Sequence, residues 1–249
     1  MSIANVRVPA KINLCLGVGP VRDDGFHPLA TVYQAVGLHD EVRATTRADD
    51  EINVVVHTEL DVTAELAAVP EDDTNLAVKA SRLLRDHTGV VGGMDLAIRK
   101  VIPVAGGMAG GSADAAASLV ACNDAWGTGL TRADLERLAA ELGSDVPFLL
   151  HGGNAVGGGR GETISPVLAR GSYHWVFAIA AEGLSTAAVY AEFDRLNSRS
   201  TVSEPVVPDA LLAALRAGDP EALGEALSND LTEAALSLRP ELQDTLEVG

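Results

Sequence analysis

The sequence predicts an α+β fold in two domains. Strand and helix patterns alternate irregularly along the chain, and helical patterns cluster late. A glycine-rich segment lies between a predicted strand and a predicted helix near the middle. The 249 residues, 47% of them hydrophobic, can fill one large or two modest cores. We expect the domains to comprise residues 1–160 and 161–249.

Strands are predicted where apolar residues alternate or form short runs. These segments are residues 6–17, 30–38, 51–57 and 96–101. A helix is predicted to open at Asp73 and Thr74 and to end at Gly89, because its apolar residues keep a period of 3.6. An alanine-rich helix is predicted over residues 113–126.

The next helix carries clear end signals. Thr131 is a good N-cap, Asp134 stands at the reciprocal capping position, and Gly143 is the expected terminator. Pro147 favours extended geometry before it, so Asp145 is predicted in a turn, followed by a strand over residues 148–151. A strand over residues 174–180, a helix from Ser185 and short helices after residue 208 complete the prediction.

The net charge and the short apolar runs exclude two classes of partner. The formal net charge is −17, whereas a nucleic-acid-binding protein normally carries a basic face, so we expect no nucleic-acid partner. The apolar runs are too short for a membrane span and the N-terminus lacks a signal-peptide pattern, so we expect no membrane association and a cytoplasmic location. A small anionic substrate requires locally focused positive groups.

The glycine-rich segment is the strongest candidate for a binding site. Glycines let backbone N–H groups converge on a ligand, and the start of a helix adds unpaired N–H groups. This arrangement predicts a phosphate cradle, in which the Ser112 hydroxyl can reach a phosphate or Mg²⁺. The expected ATP-binding residues are Pro103, Val104, Ala105, Gly106, Gly107, Met108, Ala109, Gly110, Gly111, Ser112 and Ala113.

Two common phosphate-binding motifs do not fit this segment. A Walker A loop requires Gly-Lys-Ser/Thr, and the dinucleotide fingerprint requires a second glycine where Met108 and Ala109 stand. The signatures of protein kinases are also missing from the sequence. A tight turn without a ligand remains the alternative reading of the glycines alone.

The chain also offers a candidate base and cation. Asp145 is placed in a turn, a location that often presents functional side chains, although capping a turn would also explain it. Lys11 lies among apolar residues, where a lysine needs a counter-charge, unless it points to water from an edge strand.

The glycine-rich segment resembles the central ATP-binding motif of the GHMP kinases, Pro-x-x-x-Gly-Leu-x-Gly-Ser-Ser-Ala. Met108 replaces the usual leucine, and Gly111 stands where the first serine usually does. Residues 9–14, 24–27, 142–148 and 229–231 resemble further strings of that family, especially of the branch acting on a cytidyl diphosphate alcohol. The resemblance runs from about residue 6 to residue 238.

This resemblance implies a two-domain GHMP kinase fold, with an N-terminal domain like domain 2 of ribosomal protein S5 and an α+β C-terminal domain. It implies ATP and Mg²⁺ as cofactors, a small-molecule cytidyl diphosphate substrate, and a step of non-mevalonate isoprenoid synthesis. It places Lys11 beside Asp145, the catalytic pair, where Asp145 either takes the proton of the acceptor hydroxyl or orients it. The substrate-binding residues that it implies are Asn13, Phe26, His27, Tyr33, Arg160 and Tyr190.

The sequence also departs from the family pattern. Phe26 stands where tyrosine is usual, and the third motif, Gly-x-Gly-x-Ser/Thr, is missing before Gly249. We therefore expect the C-terminal domain to be incompletely represented. Two alternatives stay open: another GHMP kinase, acting on homoserine, mevalonate or a sugar, and an ATP-binding regulator without catalysis.

Overall fold

A computed structural model describes residues 1–58, 69–104, 106–180, 183–199 and 202–248. The chain divides into two compact units: unit 1 comprises residues 1–11 and 35–152, and unit 2 comprises residues 12–34 and 153–249. This division is not a single cut, because residues 12–34 group with the C-terminal part. The domain limits 1–160 and 161–249 stay a prediction.

Strand β1 (Ile3–Val18) and strand β2 (Leu29–Thr46) are neighbours, and each contributes residues to both units. In unit 1, β4 (Met94–Lys100) pairs antiparallel with β2, with Arg99 opposite Glu41. β4 also pairs in parallel with β3 (Ile52–Thr58), with Met94 opposite Ile52. Parallel neighbours need a crossover, and helix α1 (Leu76–Thr88) lies in that connection.

The helices of unit 1 are α1, α2 (Gly110–Trp126), α3 (Arg132–Leu142) and α4 (Val146–His151). Helix α2 is buried along most of its length, and its many alanines let α1 pack directly against it. A helix that is apolar all round belongs in the interior. The packing of unit 1 therefore holds the start of α2 in place.

Unit 2 contains β5 (Asn154–Gly158), β6 (Thr163–Pro166) and β7 (Ser228–Asn229). β5 pairs antiparallel with β2 and with β6, whereas β7 pairs in parallel with β1. Its helices are α5 (Thr186–Asn197), α6 (Asp209–Ala217), α7 (Pro220–Glu225), α8 (Thr232–Leu238) and α9 (Leu242–Val248). One apolar core forms around Leu14, Leu211 and Leu215, and another around Val18, Phe193 and Ala234.

Several predictions about elements are confirmed. The four predicted strands lie in β1 to β4, and Ser185 is the N-cap of α5. Thr131 and Asp134 form a reciprocal capping box at the start of α3, and Asp145 lies in a turn. Helix α1 begins later than predicted, because Asp72 accepts hydrogen bonds from Thr74 in a turn. Within the described residues, no helix is both long and apolar enough to cross a membrane.

Two predicted strands are wrong. Residues 148–151 belong to helix α4, where Pro147 occupies the first turn and its missing N–H costs nothing. A four-residue apolar run cannot distinguish a buried strand from a buried helix. Residues 174–180 lie in no strand of the described chain, although Trp175 packs on the core and donates its indole N–H to Gln34 Oε1 at 2.7 Å.

Candidate active site

The glycine-rich segment of unit 1 presents backbone N–H groups. Helix α2 starts at Gly110, and Ala109 before it has no side chain that could cap the first N–H groups. Ala109 has φ 58°, and it is the only non-glycine with positive φ in the described part of the chain. Gly107 also adopts a positive φ, of 71°. A positive-φ turn before a helix whose first N–H groups have no side-chain cap among the described residues is a suitable anion site.

Residues of the glycine-rich segment differ in their exposure to solvent. Gly106, Gly107 and Gly111 are exposed, and Val104, Ala109 and Ser112 are half-buried. The buried members are Pro103, Met108, Gly110 and Ala113. Ala105, which was predicted to bind ATP, lies outside the described residues. The open members surround the start of α2, so a ligand can approach its N–H groups directly.

Lys11 and Asp145 are brought together in unit 1. Lys11 Nζ lies 3.4 Å from Asp145 Oδ2, and the lysine side chain is only 8% exposed. Asp145 is placed by the turn before α4, and its side chain is 29% exposed. The backbone N–H of Lys11 donates to the carbonyl of Met108 at 3.2 Å. One residue of β1 therefore contacts both the carboxylate and the glycine-rich segment.

Asn13 belongs to unit 2 and is held by hydrogen bonds. Its Nδ2 donates to Thr31 Oγ1 at 2.7 Å, and that hydroxyl donates to the carbonyl of Cys15 at 2.7 Å. Neighbouring strands β1 and β2 thus fix the amide through one buried threonine.

His27 and Tyr190, both in unit 2, form a stacked pair. Their ring centroids are 5.4 Å apart with an interplanar angle of 28°. His27 is buried, with Nδ1 2.8 Å from the carbonyl of Gly19 and Nε2 3.4 Å from Asp194 Oδ1. Phe193 meets the same imidazole edge-on at 5.9 Å. Both ring nitrogens are therefore engaged by the protein, and the imidazole supports one face of Tyr190.

The other predicted substrate residues also lie in unit 2. Phe26 is 50% exposed, and the guanidinium carbon of Arg160 lies 4.8 Å from its ring centroid. This distance is that of a cation–π contact. Tyr33 is only 2% exposed, and its ring leaves no room for a side chain at position 157, where a Cβ would lie 2.5 Å away. Tyr33 is therefore a core residue that supports the loop carrying Arg160.

Sequence reasoning missed a buried ion cluster in unit 1. Lys100 Nζ lies 2.5 Å from Asp40 Oδ2 and 2.7 Å from Asp114 Oδ2. Burial raises the pKa of the Asp114 carboxyl to about 7, although Lys100 acts in the opposite direction. The available signal was a lysine at the end of an apolar strand, directly before the glycine-rich segment.

Metal-binding side chains are sparse in the described ranges. They contain no cluster of three or more His, Cys, Asp or Glu residues that could enclose a metal ion. Mg²⁺ that arrives on nucleotide phosphates needs only one or two protein ligands. The half-buried Ser112 hydroxyl at the start of α2 fits that requirement.

Comparison with known proteins identifies the family. The model of the GHMP kinases N terminal domain matches residues 75–153. The 4-diphosphocytidyl-2-C-methyl-D-erythritol kinase of Salinispora arenicola (strain CNS-205) is 56% identical over 246 residues, which cover 98% of this chain and 76% of the relative. The enzyme of that name from Thermobifida fusca (strain YX) is 55% identical, with coverages of 98% and 79%.

Solved structures agree with this assignment. A crystal structure of 4-(cytidine 5'-diphospho)-2C-methyl-D-erythritol kinase matches with a TM-score of 0.67 and 29% identity, covering 97% of this chain and 80% of that one. A homoserine kinase from Cytophaga hutchinsonii, 16% identical with a TM-score of 0.61, covers 96% and 75% and shows the shared fold alone. The α+β GHMP kinase fold is thus confirmed, and the chain belongs to the 4-diphosphocytidyl-2-C-methyl-D-erythritol kinase family.

Proposed function

We propose that the chain transfers the γ-phosphate of ATP to the 2-hydroxyl of 4-diphosphocytidyl-2-C-methyl-D-erythritol, a step of non-mevalonate isoprenoid synthesis. One observation carries the proposal. Lys11 pairs with Asp145 at 3.4 Å through its ammonium and with Met108 of the glycine-rich segment through its backbone. A charged pair joined to an anion cradle is suited to phosphoryl transfer to an alcohol. The cytoplasm, which supplies ATP, is the proposed compartment.

The glycine-rich segment is the proposed phosphate site. The N–H groups at the start of α2, which have no side-chain cap, would donate to phosphate oxygens, and the positive end of the helix dipole favours an anion there. Ser112 is the proposed protein ligand of Mg²⁺. When bound, Mg²⁺ neutralises charge on the phosphates.

Lys11 and Asp145 are the proposed catalytic residues. Asp145 would accept or orient the proton of the attacking hydroxyl, since a carboxylate is the only base in this pair. Lys11 would stabilise the negative charge that develops on the hydroxyl oxygen. The partial exposure of Asp145 leaves its carboxylate accessible to a substrate.

The proposed residues for the cytidyl substrate are those of unit 2. Tyr190 would stack on the cytosine, and His27 would hold the Tyr190 ring from behind, given their stacked contact. Arg160 beside Phe26 is the proposed contact of the diphosphate, since guanidinium groups match phosphate geometry. Asn13 completes the proposal as a polar contact, whereas the predicted lining residue Tyr33 is buried and supports the loop that carries Arg160.

The test is coupled ADP release by the purified chain with three acceptors. We expect turnover with 4-diphosphocytidyl-2-C-methyl-D-erythritol and background rates with homoserine and mevalonate. Preference for another acceptor would contradict the cytidyl assignment. ADP binding without turnover of any acceptor would instead favour an ATP-binding regulator.

A further inference from the structure

The buried ion cluster joins three elements of unit 1. Asp40 belongs to β2, Lys100 is the last residue of β4, and Asp114 lies near the start of α2. Their side chains are at most 2% exposed. A single ammonium therefore ties two strands and a helix together in the interior.

The cluster contacts both ends of the glycine-rich segment. At the entrance, Asp40 Oδ1 accepts the N–H groups of Val101 at 2.6 Å and Ile102 at 2.8 Å. At the exit, Asp114 follows directly after Ala113 and binds Lys100. The segment spans residues 103–113, so the residues immediately before and after it are held by the same three side chains.

Lys100 also lies directly against the start of α2. A Cβ at Gly110 would lie 2.9 Å from Lys100 Nζ and 3.2 Å from Ile102 Cγ2. Gly110 is therefore required for this close approach, because any side chain there would displace the lysine or the helix. The ammonium and the first turn of α2 are therefore packed directly against each other.

Stability alone is a poor explanation for such a cluster. Replacing buried ion pairs with apolar residues is often neutral or stabilising. Here one ammonium faces two carboxylates, and Asp114 Oδ1 is buried without a hydrogen-bond partner among the described residues. What the cluster provides is a fixed geometry at a site where strands and helix meet.

We propose that Asp40, Lys100 and Asp114 are positioning residues that hold the glycine-rich segment in the geometry that binds nucleotide phosphates. None of the three touches the nucleotide in this proposal; they act through the backbone at residues 101–102 and 110–113. The inference rests on the proposed function for the identity of the ligand, and on the contacts above for the geometry.

The test compares Asp114→Leu with Asp114→Asn in the full chain. Leucine keeps the branched shape of aspartate, although it is larger, and removes the acceptor of the Lys100 hydrogen bond, whereas the asparagine oxygen retains it. For Asp114→Leu we expect at least tenfold faster amide hydrogen exchange at Val101, Ile102 and Ala113, whose N–H groups are hydrogen-bonded in the parent, and at least tenfold weaker binding of Mg²⁺-ADP by calorimetry. We expect Asp114→Asn to stay within threefold of the parent in both, and the KM for the cytidyl substrate to stay within threefold in both variants.

A core variant of unit 1 controls for general loosening. Leu138 in α3 is buried and belongs to no ion pair, so Leu138→Ala should lower stability while ADP affinity stays within threefold. ADP affinity within threefold of the parent in folded Asp114→Leu would overturn the inference, as would an equal loss in Leu138→Ala. If Asp114→Leu does not fold, Asp114→Ser, whose hydroxyl is too short to reach Lys100, is judged by the same limits.

Failure of the proposed function has a different signature. If the parent chain does not bind Mg²⁺-ADP, the kinase assignment fails. The hydrogen-exchange comparison then decides the positioning role alone: unchanged exchange at Val101, Ile102 and Ala113 in Asp114→Leu overturns it.

Discussion

The substitution Asp145→Asn tests the proposed chemistry most directly. Asp145 Oδ2 lies 3.4 Å from Lys11 Nζ, a separation at which two charges attract by about 5 kcal/mol at an effective dielectric of ~20, before desolvation is counted. Asparagine keeps the shape and removes both this attraction and the base. A positioned base contributes about 10²–10⁴-fold, or roughly 3–5 kcal/mol of barrier. We expect turnover to fall at least ~10²-fold.

The substitution Lys11→Met gives a matched comparison. Methionine follows the buried path of the lysine stem and retains the backbone N–H that donates to Met108. Turnover should again fall at least ~10²-fold, since the developing charge loses its cation. Because the two residues act as a unit, the turnover of the double variant should be only slightly lower than that of the less active single variant.

Coupled ADP release at saturating ATP measures these turnovers, and calorimetry measures Mg²⁺-ADP affinity. Affinity should stay within threefold of the parent, because the lost interactions belong to the transition state. Turnover of either single variant within threefold of the parent would refute the catalytic assignment. Losses that multiply in the double variant would show that Lys11 and Asp145 act independently.

Four further predictions concern unit 2 and the ion cluster. Tyr190→Ala should raise the KM for the cytidyl substrate about tenfold, since stacking is worth roughly 1–3 kcal/mol, and should leave the KM for ATP unchanged; Phe26→Tyr should be tolerated in the same steady-state assay. Gly157→Ala should lower the free energy of unfolding by about 1–3 kcal/mol in urea titrations, because its Cβ would lie 2.5 Å from the Tyr33 ring. The raised pKa of Asp114, about 7, means that the folded state binds a proton which the unfolded chain has lost. The contribution of Asp114 to the free energy of unfolding therefore declines as the pH rises. The difference in unfolding free energy between the parent and Asp114→Asn should decrease between about pH 5 and pH 8.

Patterns among residues close in sequence predicted much of the proposed ATP site. A capping box, a strand before the glycines and a helix after them depend on residues close in sequence, so Thr131 and the start of α2 were accessible to pattern analysis. The pairing of Lys11 with Asp145 spans the chain, and only the family resemblance predicted it. The strand predicted at residues 148–151 failed because tertiary packing, not the apolar run, selects helix there.

The ion cluster could not be predicted from sequence. Asp40 and Lys100 are brought together by the register of β2 and β4, and Asp114 by the packing of α2 on the sheet. No spacing rule links residues on three different elements. The stacking of His27 on Tyr190 is likewise a contact between a loop and a distant helix.

The sign of the Asp114→Leu effect separates geometry from electrostatics. The chain carries a net charge of −17, and Lys100 shares its one positive charge with two carboxylates, so the cluster offers little attraction to a phosphate. Removing the carboxylate of Asp114 at pH values above its pKa takes a negative charge from beneath an anion site, and a Coulombic account then requires tighter ADP binding. A geometric account requires weaker binding, because hydrogen bonds from the α2 N–H groups weaken steeply when donors move out of line. Asp114→Asn removes the same charge but keeps the acceptor, so unchanged affinity there and weaker binding in both Asp114→Leu and the smaller Asp114→Ser contradict the Coulombic account and match the geometric one.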